Sequence, residues 1–531
     1  MSAGISSCPS LPITHRRPAP IVFQQQQQPP IGYKLQRRRR SSHVASVATT
    51  DRWAPAVARD DMDRRSQPAA ETSGRSDDGG QLAARWREIH GSGNWEGLLD
   101  PIDAVLRAEL IRYGEFAQAT YDSFDYDRFS PYCGSCKFPP KTFFHDAGLG
   151  AAGYEVSRYL YATCNDLKLP NFRSRRHNNN DKMWSESGTF IGYVAVSTDE
   201  ETARIGRRDI AVAWRGTITR LEWVADLTAS QRRLSDMGVP CPDPGVKVEM
   251  GFAELYTGKD ESCRFCRYSA REQALAEVRK LVELYHARGE EVSVTVTGHS
   301  LGSALAMLNA FDIAETGANV SSPAAGGGGG AAVAPVCVFS FAGPRVGNLR
   351  FRERFERELG VRALRVVNVH DTVPKVPGVV FNEAAFPERV LRAVDGMGVG
   401  GVYAHLGVPL ALDHEASPYL KKTMDISCYH NLEAHLHLLD GFRGAGEGFE
   451  LRGRDPALVN KSADFLRDEH MVPPVWYQAE NKGMVRTEDG RWVVPPRHRD
   501  IDEHPEDTEH HLRKLGLNAS TLQHDLIYKA L

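Results

Sequence analysis

The chain of 531 residues lacks a long apolar run, and its first fifty residues lack acidic side chains. A membrane-spanning helix needs roughly 18 consecutive apolar residues, so any membrane contact is expected to come from one side of the bilayer. The first fifty residues carry seven Lys and Arg and are rich in Ser, Pro and Gln. This composition is typical of an organelle transit peptide, with a disordered tail, a nuclear signal or a nucleic-acid-binding arm as alternatives. Composition alone does not separate plastid from mitochondrion.

The remainder of the chain is acidic. Without the first fifty residues, Lys plus Arg falls from 65 to 58 while Asp plus Glu stays at 68, so the net charge becomes −10 instead of −3. Binding to nucleic acid needs clustered cations that neutralise phosphates. The sequence therefore argues against nucleic acid as the main partner.

The nine cysteines form no pattern typical of a secreted disulfide framework. Two Cys-x-x-Cys pairs are present, Cys133 with Cys136 and Cys263 with Cys266. They are 126 residues apart, far more than in common zinc modules. Packed thiols or a redox-sensitive pair at Cys133 and Cys136 explain them better, and the sequence predicts neither a metal ion nor another cofactor.

Three segments are predicted from composition and hydrophobic periodicity. Residues 1–80 are predicted to be a transit peptide with a polar linker, residues 81–447 an α/β domain, and residues 448–531 a partly irregular, Pro-rich extension. Alternating strands and helices imply a mostly parallel central sheet flanked by helices. The predicted strands are 190–196, 210–214, 292–297, 336–341 and 364–369, and the predicted helices are 98–121, 269–289, 301–311 and 432–439.

The strongest chemical signal is the pentapeptide GHSLG at 298–302, between a predicted strand and a predicted helix. This context is that of a nucleophile elbow, which exposes a serine at the end of a strand. Small residues at Gly298 and Gly302 let the strand and the helix pass closely. The helix start offers N–H groups to a developing oxyanion. The sequence predicts Ser300 as a nucleophile, and an ordinary Gly-rich turn is the alternative.

A serine nucleophile needs a base, which a third group orients, and in this fold the chain order is Ser, acid, His. Asp371 follows the predicted strand 364–369, which places its carboxylate at the same sheet edge as Ser300; alternatively, it is a turn residue before Pro374. His430 is favoured as the base because it precedes the helix 432–439 on a loop. The other histidines considered are His405, His414, His435 and His437.

Further motifs resemble the class 3 lipases, and among them the plant plastid-targeted class I phospholipase A1 group. The lipase motifs are WRGT at 214–217, EWVADL at 222–227, GHSLG at 298–302, FAGPRVGN at 341–348 and NVHDTVPKVP at 368–377. The plant group is indicated by IRYGEF at 111–116, YCGSC at 132–136, VPP at 472–474 and ENKG at 480–483. The resemblance runs from about Trp86 to about Pro496, and as an ordered set these motifs are very specific.

The resemblance implies an α/β-hydrolase fold and a serine triad. It implies that Ser300 is the acyl-ester nucleophile, that Asp371 orients the base and that His430 is the base. His430 matches the family pattern His-x-Leu-Glu-x-x-Leu-His, although His435 replaces the aromatic residue usual at its position. Thr217 matches the residue that forms the oxyanion hole together with the N–H of Leu301.

Residues 218–227 match the lid region of fungal relatives. Trp223 and Leu227 could present an apolar edge to lipid, or they could be buried under the sheet. Both residues are therefore lid candidates.

The implied activity is release of the sn-1 fatty acid from phosphatidylcholine or galactolipids at the surface of a plastid membrane, without a metal ion. The motifs describe the acyl-transfer machinery and not the head-group pocket. A galactolipase or triacylglycerol lipase with little phospholipase activity is therefore an alternative. A non-catalytic lipid-binding scaffold is a more remote one.

Overall fold

The computed structural model describes residues 75–127, 130–163, 185, 187–217, 230–321, 331–378, 381–383, 385–397, 401–478 and 481–495. All of these residues lie within the unit Glu71–Leu531. The predicted transit peptide and the lid candidates Trp223 and Leu227 lie outside the described residues. The three-segment division of the chain remains a prediction.

The described strands are β1 Tyr154–Thr163, β2 Gly188–Ser197, β3 Arg208–Trp214, β4 Gln231–Arg233, β5 Lys247–Glu249, β6 Val292–His299, β7 Val336–Phe341, β8 Arg362–Asn368, β9 Phe381–Asn382, β10 Val402–Tyr403, β11 Val408–Leu412, β12 Val485–Arg486 and β13 Trp492–Val493. Seven of them form one sheet in the order β1-β2-β3-β6-β7-β8-β11. The pairs from β3 to β11 are parallel, whereas β1 and β2 add antiparallel strands at one edge. The predicted mostly parallel sheet is confirmed.

The described helices are α1 Arg75–Ile89, α2 Ala104–Asp122, α3 Phe143–Asp146, α4 Asp199–Ile205, α5 Met250–Thr257, α6 Ala270–Ala287, α7 Leu301–Glu315, α8 Leu349–Glu353, α9 Glu388–Gly396, α10 Ile426–Tyr429 and α11 Leu432–Gly441. Side chains of β3 alternate between two buried cores. Ile210 and Val212 pack into the core that includes α5, α6 and α7, and Ala211 and Ala213 pack into the core that includes α1, α2 and α11. This period of two leaves both sheet faces covered by helices.

Local capping explains where two of the helices start. Ser269 and Glu272 form a capping box at the start of α6. The helix predicted over 98–121 instead begins at Ala104, because Asp103 caps it by accepting hydrogen bonds from the N–H groups of Val105 and Leu106. The preceding residues, including Pro101, form turns. Helix α1 in turn begins inside the segment predicted as linker.

The C-terminal extension packs against the helices that precede it. It contains short 3₁₀ turns and the β12–β13 hairpin, and it buries Phe465 and Trp476. Asn431 donates a hydrogen bond from Nδ2 to the carbonyl of Val459 at 2.9 Å, and Arg454 forms an ion pair with the buried Glu433. The extension therefore holds the start of α11, the helix that follows His430.

Within the described ranges, every helix is too short or too polar to cross a bilayer.

Candidate active site

The pentapeptide around Ser300 forms a sharp turn between β6 and α7. Ser300 has φ 60° and ψ −127°, a conformation that L residues seldom adopt. Its N–H donates to the carbonyl of Phe341 on β7 at 3.0 Å. The turn places Ser300 at the carboxyl end of the central strand of the sheet, the edge at which open α/β sheets bind their ligands.

Glycine at two positions of this turn is required by space. A Cβ atom added to Gly298 would lie 2.3 Å from the carbonyl oxygen of Gly302. A Cβ atom added to Gly302 would lie 2.3 Å from the carbonyl oxygen of Trp214 at the end of β3. Both contacts are with backbone, which cannot rotate away as a side chain can. The close approach of strand and helix therefore depends on both glycines.

Asp371 and His430 are in direct contact. The carboxylate of Asp371 is fully buried, and its Oδ2 lies 2.7 Å from Nδ1 of His430. Its other oxygen accepts the N–H of Val373 at 2.9 Å. A carboxylate at Nδ1 keeps a proton on that nitrogen and leaves the lone pair on Nε2. Nε2 of His430 is therefore the atom that can accept a proton.

This Nε2 atom is buried and has no hydrogen-bond partner in the described part of the chain. It is thus not bonded to Ser300 in this state. A buried acceptor without a partner costs about 1–3 kcal/mol, so such an atom calls for a chemical explanation. Catalytic hydrogen bonds are often long without substrate and tighten when it binds. The observation fits a base that is kept available for the reaction.

The loop after β3 lies beside the start of α7, as the contact between Gly302 and Trp214 requires. Arg215 anchors this loop to β2 by donating from Nε to the carbonyl of Phe190 at 2.9 Å. Thr217 is half-buried and is the last described residue of the loop. Leu301 is the first residue of α7, so its N–H has no acceptor within the helix. The two predicted oxyanion residues thus lie on neighbouring segments.

Sequence reasoning missed a hydrogen-bonded bridge behind the elbow. Nε2 of His299 lies 2.8 Å from the carbonyl oxygen of His430 and donates to it. Nδ1 of His299 is then the acceptor for the hydroxyl of Tyr121, 2.8 Å away. Burial lowers the pKa of His299 well below its usual value, and the neighbouring His430 and His435 lower it further. The ring stays neutral, as this bridge requires.

The bridge connects α2, the elbow and the backbone of the proposed base. His299 was visible in the sequence as part of the GHSLG motif, but nothing there indicated its partners. Tyr121 carried no signal beyond its place in a predicted helix. Only the packing of α2 against β6 shows the connection.

Among the described histidines, only His430 lies within hydrogen-bonding distance of the Asp371 carboxylate. The other candidate bases have different neighbours. The nearest hydrogen-bonding atoms are the Pro374 carbonyl for His405, Oδ1 of Asn368 for His414, the Asn431 carbonyl for His435 and the Ser417 hydroxyl for His437.

Comparison with known proteins agrees with the sequence motifs. Residues 211–381 match the family described as lipase (class 3). Phospholipase A1-Igamma1, chloroplastic, from Arabidopsis thaliana is 52% identical over 484 residues, which cover 90% of this chain and 91% of the relative. The chain belongs to the class 3 lipase family, which confirms the resemblance predicted from its motifs.

Two further relatives extend this similarity. Phospholipase A1-Igamma2, chloroplastic, from Arabidopsis thaliana is 52% identical over 82% of this chain and 81% of its own length. Phospholipase A1-II 6 from Oryza sativa subsp. japonica is 44% identical over 80% of this chain and 98% of its own length. The solved lipase II from Rhizopus niveus is 21% identical with a TM-score of 0.31, and it covers 52% of this chain and 77% of its own. The similarity to the plant enzymes thus spans most of the chain.

Proposed function

We propose that this chain is a serine acyl hydrolase that releases the sn-1 fatty acid from membrane glycerolipids, with Ser300, Asp371 and His430 as its triad. Family membership makes it a carboxylic ester hydrolase. The observation that carries the residue assignment is the 2.7 Å contact between Asp371 and His430, with Nε2 of His430 left without a partner among the described residues.

The reaction follows from these positions. Nε2 of His430 takes the Ser300 proton as Oγ attacks the ester carbonyl, and Asp371 stabilises the imidazolium that forms. The N–H of Leu301 and the backbone and hydroxyl of Thr217 hold the oxyanion. The tetrahedral intermediate then collapses, and His430 returns the proton to the departing lysolipid oxygen. Water, deprotonated in turn by His430, attacks the acyl-serine and releases the fatty acid.

The substrate class rests on the relatives, which are named phospholipases A1. The Arabidopsis relatives are also named chloroplastic, which supports the chloroplast as the location and the basic N-terminal segment as a transit peptide. Lipids at a membrane surface are the expected substrates. Trp223 and Leu227 remain the lid residues that we propose to meet the lipid.

The test uses the native chain beside a Ser300→Ala variant. Each protein receives phosphatidylcholine and monogalactosyl diacylglycerol, whose sn-1 and sn-2 chains differ in mass. We expect the native protein to release the sn-1 chain and the variant to release neither chain. The faster lipid would identify the preferred head group. Release by the variant at the native rate would contradict Ser300 as nucleophile, and no release by the native protein would favour the scaffold alternative.

A further inference from the structure

A second cluster of reactive side chains lies next to the acid–base pair. His370 follows β8, and Asp413 and His414 follow β11, its parallel neighbour in the sheet. One ring nitrogen of each histidine and one carboxylate oxygen of Asp413 lie within 4.8 Å of one another. The ends of two adjacent parallel strands therefore bring two imidazoles and a carboxylate together, and the proposed acyl transfer uses none of them.

The distances are close to those of a metal site. Ligand atoms that bind one zinc ion at roughly 2.1 Å lie about 3.4 Å apart in a tetrahedral arrangement. Nε2 of His370 is already 3.2 Å from Oδ1 of Asp413. The side chains of His370 and Asp413 are 37% and 49% exposed. They are therefore free to rotate by the small distance, on the order of one ångström, that brings the three ligand atoms around a shared ion.

The third group is held in place by its surroundings. His414 is buried, and its ring lies 4.6 Å from the Tyr429 ring at an interplanar angle of 31°. Its Nδ1 is 3.4 Å from Oδ1 of Asn368. The same oxygen accepts the N–H of His370 at 3.4 Å. A side-chain carbonyl that contacts one histidine ring and the backbone of another is the kind of support that orients metal ligands.

We propose that His370, Asp413 and His414 bind a zinc-class divalent ion, with solvent at the open coordination position. Two imidazoles with one carboxylate suit zinc, whereas magnesium and calcium prefer oxygen ligands throughout. A simple surface ion pair would look different. His145 and Asp146 form such a surface pair, with Nδ1 of the histidine 3.3 Å from Oδ1 of the aspartate. Among the described residues, no second histidine lies close enough to this pair to share a metal ion with it.

A bound metal ion would restrain both the loop that carries Asp371 and the loop that carries His430. His370 immediately precedes Asp371, and Tyr429, which packs on His414, immediately precedes His430. An ion at this position would tie the loop of the acid to the loop of the base. Because an ion bound only to the folded state stabilises that state, it would also raise the melting temperature.

The experiment compares the full-length chain with His370→Ala, Asp413→Asn, His414→Ala and the control His145→Ala. Zinc chloride is titrated into each protein by calorimetry, and thermal unfolding is recorded with and without zinc. We expect one ion per chain in the native protein and the control. The affinity should fall at least about tenfold in the three site variants, and the rise in melting temperature should be lost with it.

Cobalt(II) identifies the ligands by its absorption. Nitrogen and oxygen ligands give only weak visible bands, whereas thiolates add a strong charge-transfer band in the near ultraviolet. Equal affinities in all variants, no binding by the native protein, or a thiolate band that the site variants leave unchanged would each overturn the proposal. Asp413 is exposed and His370 is only half-buried, so their variants keep the test valid if His414→Ala fails to fold.

Discussion

The two halves of the proposed active site are built differently. Ser300 lies on a turn whose geometry is set by a short contiguous segment, with Gly298 and Gly302 on either side and β6 and α7 beyond them. His430 lies between two helices, α10 and α11, and depends on distant segments. Asp371 contacts its ring, His299 its backbone carbonyl, and the C-terminal extension holds the neighbouring Asn431.

This difference separates two ways of placing a reactive group. The nucleophile half consists of Ser300 and its turn, residues 298–302. The position of Ser300 is set mainly by covalent connectivity, because a tight turn between a strand and a helix leaves few conformations. The base half consists of Asp371, His430 and the start of α11. The position of His430 is set by several long-range contacts, each of which contributes about 1 kcal/mol to stability. Single substitutions in the nucleophile half should therefore cause large losses of activity or stability. Substitutions in the base half, other than at Asp371, should cause small ones.

The largest effect is expected from Asp371→Asn. The amide would keep the shape of the site but would face Nδ1 of His430 with an N–H donor, which favours the wrong tautomer of the ring. We expect kcat to fall by about 10⁴-fold with little change in KM. Acyl release from a soluble ester measures this. The matched control Asp236→Asn is exposed, and an equal loss there would contradict the assignment.

Gly302→Ala tests the close approach of β3 and α7 that the turn of the nucleophile half requires. Its Cβ would lie 2.3 Å from the Trp214 carbonyl oxygen, so β3 and α7 would have to separate. We expect a loss of about 3 kcal/mol or more in the free energy of unfolding, together with most of the activity. Urea unfolding measures the stability. Gly80→Ala lies in α1, where nothing lies within 4 Å of the added atom, so it should keep or slightly raise the stability because alanine favours a helix more than glycine does. An equal loss of stability in the two variants would contradict the steric explanation.

Tyr121→Phe removes only the hydroxyl that donates to His299. The His299 ring would then be less firmly oriented toward the carbonyl of His430, so kcat should fall by about tenfold, equivalent to about 1.4 kcal/mol. Tyr193→Phe is the matched control, because it also loses a buried hydroxyl bond, at 2.9 Å, to the Phe116 carbonyl. Equal kcat values in the two variants would show that the bridge serves stability alone.

Asn431→Ala tests the hold of the C-terminal extension on the base half. The change removes both the cap of α11 and the bond to Val459. We expect a loss of about 1 kcal/mol in stability and a severalfold loss in kcat. Thr198→Ala, which removes the cap of α4, should lose similar stability without lowering kcat. A normal kcat in Asn431→Ala would mean that the base is positioned without the extension.

The last prediction concerns how the stability of the base half depends on pH, with no effect on the catalytic groups themselves. Burial, aided by Arg454 and His470, lowers the pKa of His437 to about 3 from 6.5. The unfolded chain therefore binds an extra proton below about pH 6.5, so stability falls as the pH falls. Between pH 7 and pH 5 this histidine alone should remove about 2 kcal/mol. Urea unfolding at both pH values should show a smaller drop in His437→Gln, and an identical drop would contradict the assignment.

Much of the nucleophile half could be predicted from the sequence. The periodicity predicted β6 and α7 around GHSLG, and the order Ser, Asp, His reduced the acid and base to a few candidates. The start of α2 was placed too early, because apolar spacing continues through Leu98 and Ile102 although Pro101 and Asp103 force the helix to begin at Ala104. Here local capping prevails over periodicity.

The sequence by itself determined the fold class, the strand–turn–helix around Ser300 and the acidic charge of the chain after its basic start, because these follow from residue order and local propensity. The tertiary structure decided which histidine meets Asp371, how Tyr121 reaches His299, and that His370 and Asp413 lie beside His414. Each of these pairs joins residues from separate strands or helices. Their contact depends on the order of strands in the sheet and on how helices pack across it, which the spacing of residues along the chain does not specify.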